Sequence, residues 1–134
     1  MNKIKKAILA ILLIITIPIA VFFALYLFHV MVYLKPEPLK IQIINEDIKD
    51  HNLRIEVIYE AKKIFNESFN IKSNDKIFTG EISKKEGEYI IIATLDNKIR
   101  EEFTAKVGFS YSSVDIFIVN KSDSVRIEIY QKVY

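Results

Sequence analysis

Residues 7–34, AILAILLIITIPIAVFFALYLFHVMVYL, form a run of 28 residues without a single Asp, Glu, Lys or Arg. An α-helix rises about 1.5 Å per residue, so roughly 20 apolar residues cross a hydrocarbon core of about 30 Å. The run exceeds that length. It is apolar on every side, which rules out a surface helix in water, and the rest of the chain is too small to wrap it as a core helix. The first expectation is therefore a transmembrane helix over 7–34.

A cleavable signal peptide is the main rival. It would have a shorter apolar region ending in a small-x-small site, whereas this run ends in the bulky Val30-Met31-Val32-Tyr33-Leu34, and Ala20 and Ala24 are four residues apart. A type IV pilin leader would need a Gly cut site and a Glu, and neither occurs before position 37. An uncleaved signal anchor is the expected outcome. Lys3, Lys5 and Lys6 crowd the N-terminal side, while Lys35, Lys40 and Lys49 are more dispersed. Basic residues beside a span favour the cytoplasmic side. The expected layout is a cytoplasmic tail (1–6), a signal-anchor helix (7–34), a linker (35–38) and a β-domain (39–134) outside the cell membrane.

All 17 acidic residues follow the apolar run, with 16 of the 19 basic ones. The domain thus carries one more acid than base and lacks the basic excess of a nucleic-acid binder. With no cysteine, disulfides and thiolate metal sites are excluded.

Pro36-Glu37-Pro38 reads as a stiff spacer. Beyond it the pattern becomes alternating, the period-2 signal of half-buried strands. It is clear in Leu39-Lys40-Ile41-Gln42-Ile43 and in Leu53-Arg54-Ile55-Glu56-Val57. Further runs fall at 64–71, 77–83, 88–95, 98–107, 111–119 and 125–133. Polar clusters break them at 73–76, 84–87 and 120–123, and Asp96-Asn97 suits a tight hairpin because both residues tolerate positive φ. Residues 60–67 are expected to form a hairpin loop entering the next strand.

Seven to eight short antiparallel strands after one helix describe an all-β sandwich. With Gly87-Glu88-Tyr89-Ile90 as a turn-to-strand phrase, residues 39–133 resemble the immunoglobulin-like or fibronectin-like extracytoplasmic modules of membrane-anchored prokaryotic proteins, archaeal ones included. The helix-plus-sandwich layout also resembles archaellum stator proteins. These resemblances imply an immunoglobulin-like β-sandwich and transfer no functional residue.

No catalytic, cofactor or metal constellation is expected. His51 is expected in a solvated loop. Glu46-Asp47-Ile48-Lys49-Asp50 matches no calcium-loop spacing and is expected as a solvated acidic turn. Glu101-Glu102 lies in a strand, so its two side chains point to opposite faces. Tyr26, His29 and Tyr33 share one helical face, either an interfacial aromatic belt or a seam for a partner helix. Asn66-Glu67-Ser68 and Asn120-Lys121-Ser122 are glycosylation sequons. Ile90, Ile92, Phe117 and Val119 are expected to face outward from strands that are apolar on both sides, and exposed apolar area marks interaction surfaces. Expected partners are the lipid bilayer and a protein or a second copy, with neither nucleic acid nor a small-molecule substrate. The expected role is non-enzymatic, structural or protein-binding at the envelope. An accessory subunit of a membrane complex, archaellum-stator-like or transporter-associated, is the alternative.

Overall fold

The computed structural model describes residues 2–33, 37–108 and 111–133. Leu34, Lys35 and Pro36, expected at the helix end and in the linker, lie outside the described residues, as does Tyr134. The chain divides into two compact units, Met1–Lys35 and Pro36–Tyr134.

The first unit is one helix, α1 (Lys3–Tyr33), long and apolar enough to span a membrane, with no buried residue. It begins earlier than expected. Lys6 N donates to Asn2 O at 3.1 Å, so the lysines assigned to a separate tail belong to the first turns. Lysine is a good helix former, and nothing in residues 3–6 breaks a helix. Pro18 sits inside α1 and lacks the N–H that would reach the carbonyl of Ile14. Two residues earlier, Thr16 Oγ1 donates to Leu12 O at 2.9 Å.

Among its described residues the second unit contains eight strands: β1 (Leu39–Asn45), β2 (His51–Tyr59), β3 (Lys62–Ile71), β4 (Lys76–Ser83), β5 (Gly87–Leu95), β6 (Ile99–Val107), β7 (Tyr111–Lys121) and β8 (Ser124–Val133). They form two four-stranded sheets, sheet A in the order β4-β1-β7-β8 and sheet B in the order β3-β2-β5-β6. Alternate residues of both sheets fill a single core. Leu39, Ile41, Ile43, Val114, Ile116 and Ile118 of sheet A belong to the same cluster as Leu53, Ile55, Val57, Tyr89 and Ile91 of sheet B. This is the arrangement of a β-sandwich. Each fully buried Ile or Leu contributes about 1.5–3 kcal/mol.

The expectation of uniformly antiparallel pairing needs one correction. β1 pairs parallel with β7, from Lys40↔Ser113 to Asn45↔Ile118. The chain leaves β1 for β2 and β3 of sheet B, returns to lay β4 against one flank of β1, and crosses to β5 and β6 of sheet B before β7 arrives on the other flank, running in the same direction as β1. Parallel neighbours require such a long crossover.

Three hairpins close on residue pairs with positive φ: Glu60-Ala61, Asp96-Asn97 and Ser122-Asp123. That backbone matches the right-handed twist of paired strands. The β4–β5 connection is fastened differently. Tyr89 is buried in the core, and its hydroxyl donates to Lys85 O at 2.6 Å and lies 2.8 Å from Ser83 Oγ. The Tyr59 ring stacks on it at 4.5 Å, and the Tyr59 hydroxyl donates to Glu86 O. Gly87, at φ +139°, lies beneath Tyr59, where a Cβ would come within 3.1 Å of the ring. Here the Gly-x-Tyr phrase is a clamp that needs both residues.

Candidate functional site

At one end of the sandwich, polar side chains from three connections converge. β1 ends at Asn45, which is buried. Its Oδ1 accepts from Asp47 N at 3.0 Å, an Asx-type turn. Its Nδ2 faces three carbonyls, those of Lys49 (2.8 Å), Ile71 (3.3 Å) and Lys72 (3.1 Å). One amide therefore ties the β1–β2 loop to the end of β3. Ser73 adds to the knot, its Oγ donating to Asp47 O and its N to Asp50 Oδ1, both at 2.9 Å.

This geometry turns Asp47 inward, to 1 % exposure. Its Oδ1 accepts from Ile48 N (2.8 Å) and Asn120 Nδ2 (3.2 Å), and its Oδ2 lies 2.6 Å from His51 Nε2. The other ring nitrogen, His51 Nδ1, is 2.6 Å from Asp96 Oδ2. Asp96 in turn accepts Asn52 N on Oδ1 at 2.9 Å and sits in the β5–β6 turn. Two expectations are corrected here. His51 is a buried strand residue rather than a solvated one, and Asp47 is the centre of the loop rather than part of a solvated acidic turn. The tertiary cause is the same in both cases, because Asp96 of the β5–β6 turn and Asn120 at the end of β7 close over the Asp47–His51 pair and supply partners that the β1–β2 loop lacks.

Burial works against a charged His51 ring, but the hydrogen bonds and charges of Asp47 and Asp96 outweigh it and raise its pKa above the ordinary histidine value. The bond from His51 is the chief cause that lowers the pKa of Asp47, assisted by Asn120 and the Ile48 amide against the effect of burial. Burial acts to raise the pKa of Asp96, yet the Asn52 amide and His51 lower it overall. The trio is thus a carboxylate–histidine–carboxylate clamp in which both carboxylates favour the charged ring. With both ring nitrogens facing carboxylates, His51 has no lone pair free for a metal or a nucleophile. Among the described residues, no three His, Cys, Asp or Glu side chains gather in a way that could hold a metal ion. A cleft of about 370 Å³ beside the clamp is lined by Asp50, His51, Asn52, Asn70, Ile71 and Lys72.

The outward apolar set does not form one face. Ile90 and Ile92 lie on β5 in sheet B, whereas Phe117 and Val119 lie on β7 in sheet A. Ile92 and Val119 are buried, at 8 % and 6 % exposure. The register sets Ile92 between Glu56 and Glu102, which are tethered by Lys63 and Arg100. Such long side chains bury apolar surface beneath their methylene stems. Val119 lies opposite Arg126. Ile90 is exposed, and Phe117 packs edge-on against Tyr130, ring centroids 5.9 Å apart.

Tyr26, His29 and Tyr33 are all exposed on α1, and the rings of His29 and Tyr33 approach to 4.3 Å. Asn66 is exposed on β3, an edge strand of sheet B. Asn120 is exposed at the end of β7, its amide nitrogen already donating to Asp47. Glu101 and Glu102 are both exposed on β6, the other edge of sheet B. No protein-family model and no curated protein matches this chain.

Proposed function

We propose that this chain is a single-pass membrane protein whose N-terminus is cytoplasmic and whose immunoglobulin-like β-sandwich stands outside the cell membrane as a non-enzymatic binding or structural module of the envelope. The observation that carries the reading is α1. It spans 31 residues with no side chain buried against protein, so only lipid or other helices can cover it. The lysines at its start support the orientation through the positive-inside bias.

The Tyr89 hydroxyl, bonded to a carbonyl four residues upstream at the start of a strand, is the device by which immunoglobulin-like sandwiches fasten a corner. The strand order differs from the constant-type pattern, since β2 and β3 pair within one sheet. The likeness therefore lies in architecture rather than in connectivity. The engagement of both His51 nitrogens favours a structural role for the most prominent polar cluster. The exposed face of Tyr26, His29 and Tyr33 on α1 is what the second reading would use, an accessory subunit of a membrane complex in which that face meets a partner helix.

Protease shaving of intact cells, following a tag after Tyr134, tests the proposal. Loss of the tag is the expected result. A tag protected in cells and cut in inverted vesicles would put the domain in the cytoplasm and refute the envelope role.

A further inference from the structure

The two carboxylates that flank His51 differ in how well each can do without it. The Asp47 side chain is 1 % exposed. Its Oδ1 takes Ile48 N and Asn120 Nδ2, while among the described residues its Oδ2 has the His51 ring alone. The Asp96 side chain is 40 % exposed, and its Oδ1 has a tie of its own from Asn52 N. Water can therefore replace His51 at Asp96 Oδ2 and has no such access to Asp47 Oδ2. A buried carboxylate oxygen stripped of its donor costs far more than one that passes to solvent. A neutral imidazole keeps one proton, and its surroundings decide which nitrogen holds it. Here the bond that is costly to lose is the one at Nε2.

We propose that His51 is a one-sided pH latch: on losing its proton it keeps its hold on Asp47 and lets go of Asp96, which frees the β5–β6 turn while the β1–β2 loop stays fastened. The latch works the same way on either side of a membrane, so it is independent of the topology proposed above. The proton leaves Nδ1 for water. The bared lone pair then faces Asp96 Oδ2 across 2.6 Å, a repulsive contact that the exposed carboxylate relieves by turning outward. Other charged groups surround the ring. Asp50 of the β1–β2 loop and Lys72, just past β3, line the same cleft, and Lys98, just past the turn, acts on Asp96. The end of β7 contributes Asn120, which is neutral. Among the described residues neither lysine forms an ion pair with Asp47 or Asp96, so the ring is the cation that holds both. Two backbone bonds that close the turn, Asp96 N to Asn52 O at 2.8 Å and Lys98 N to Leu95 O at 2.9 Å, report on its release.

The test is a pH titration of the ¹⁵N-labelled full chain in detergent micelles, through and above the ordinary histidine range, reading the imidazole nitrogens through their ring protons. His51→Gln identifies the His51 signals by their loss and leaves those of His29. The expected result is that Nδ1 moves to the position of a bare ring nitrogen while Nε2 stays at that of a protonated one. Over the same titration, protection of the Asp96 and Lys98 amides, corrected for the intrinsic pH dependence of exchange, should fall about tenfold, as for the loss of one hydrogen bond to a charged group. Protection of the Asp47 and Ile48 amides should hold. Asp96→Asn keeps a side chain suited to the positive φ of the turn, 50° at this position, and removes the charge. His51 should then titrate about one unit lower, and the protection of the turn should no longer change with pH. The ring-nitrogen readout needs no folded variant. A proton retained on Nδ1, turn protection that stays constant through the titration, a loss spread evenly over both sheets, or an unshifted midpoint in folded Asp96→Asn would overturn the latch.

Discussion

Replacing Asn45 with alanine should loosen the polar end of the sandwich out of proportion to the size of the change. The Asn45 amide nitrogen has two protons for the carbonyls of Lys49, Ile71 and Lys72, and its oxygen holds the Asp47 amide. Three protons' worth of hydrogen bonding therefore vanish, each worth about 1 kcal/mol, or about 3 kcal/mol in all. For a domain of this size, 1 kcal/mol moves the melting temperature by about 4–8 °C, so Asn45→Ala should lower it by about 12–24 °C. Near-ultraviolet circular dichroism of the full chain in micelles would follow the loss, because Tyr59 and Tyr89 are stacked only in the folded sandwich. Asn45→Asp sharpens the test. It sets a carboxylate against three carbonyls, so it should be less stable than the alanine variant at neutral pH and recover in acid, where a protonated oxygen donates again. A melting temperature within about 4 °C of the parent for Asn45→Ala, or a stable Asn45→Asp at neutral pH, would refute the account.

Further outcomes follow from the same structure. The pKa of His51 is raised above its reference of 6.5, so its stabilisation is complete below about pH 6.5 and is lost as pH climbs through the folded-state value. Asp47 and Asp96 are lowered from 3.8, so theirs is present above about pH 4 and lost as pH falls through their folded values. Melting temperature should peak between those limits, and His51→Gln should flatten the alkaline side of the profile. Gly87→Ala meets both a positive φ and the Tyr59 ring and should cost about 1–3 kcal/mol by denaturant unfolding, whereas Ala61→Gly, at φ 62° in an open hairpin turn, should gain up to about 1 kcal/mol.

The strands were legible because alternation is a local signal. Leu39-Lys40-Ile41-Gln42-Ile43 declares its buried side without knowledge of its neighbours, and Asp96-Asn97 declares its turn through its own tolerance of positive φ. The clamp was not legible in the same way. Asp47 and Asp96 lie 49 residues apart in the chain and meet only because β2 and β5 are neighbours in sheet B. One usable signal was the i, i+4 spacing of Asp47 and His51 on a tight loop. The parallel β1–β7 contact was equally hidden, since no local pattern encodes which strand becomes a neighbour. Ile92 and Val119 were expected to face outward, yet both are buried. Their covering by long charged neighbours depends on cross-strand register.

The place of β1 has a mechanical consequence. This strand continues the chain from the anchor side, and it is held on both flanks, by β4 and by β7, rather than lying at an edge. Tension drawn along it while the rest of sheet A is held runs parallel to the strand axis. The β1–β7 bonds then bear the load together in shear, instead of parting one after another like a zipper. Under the proposed function, a pull on α1 would therefore load two ladders at once, and the domain would keep its fold under tension better than one tethered through an edge strand.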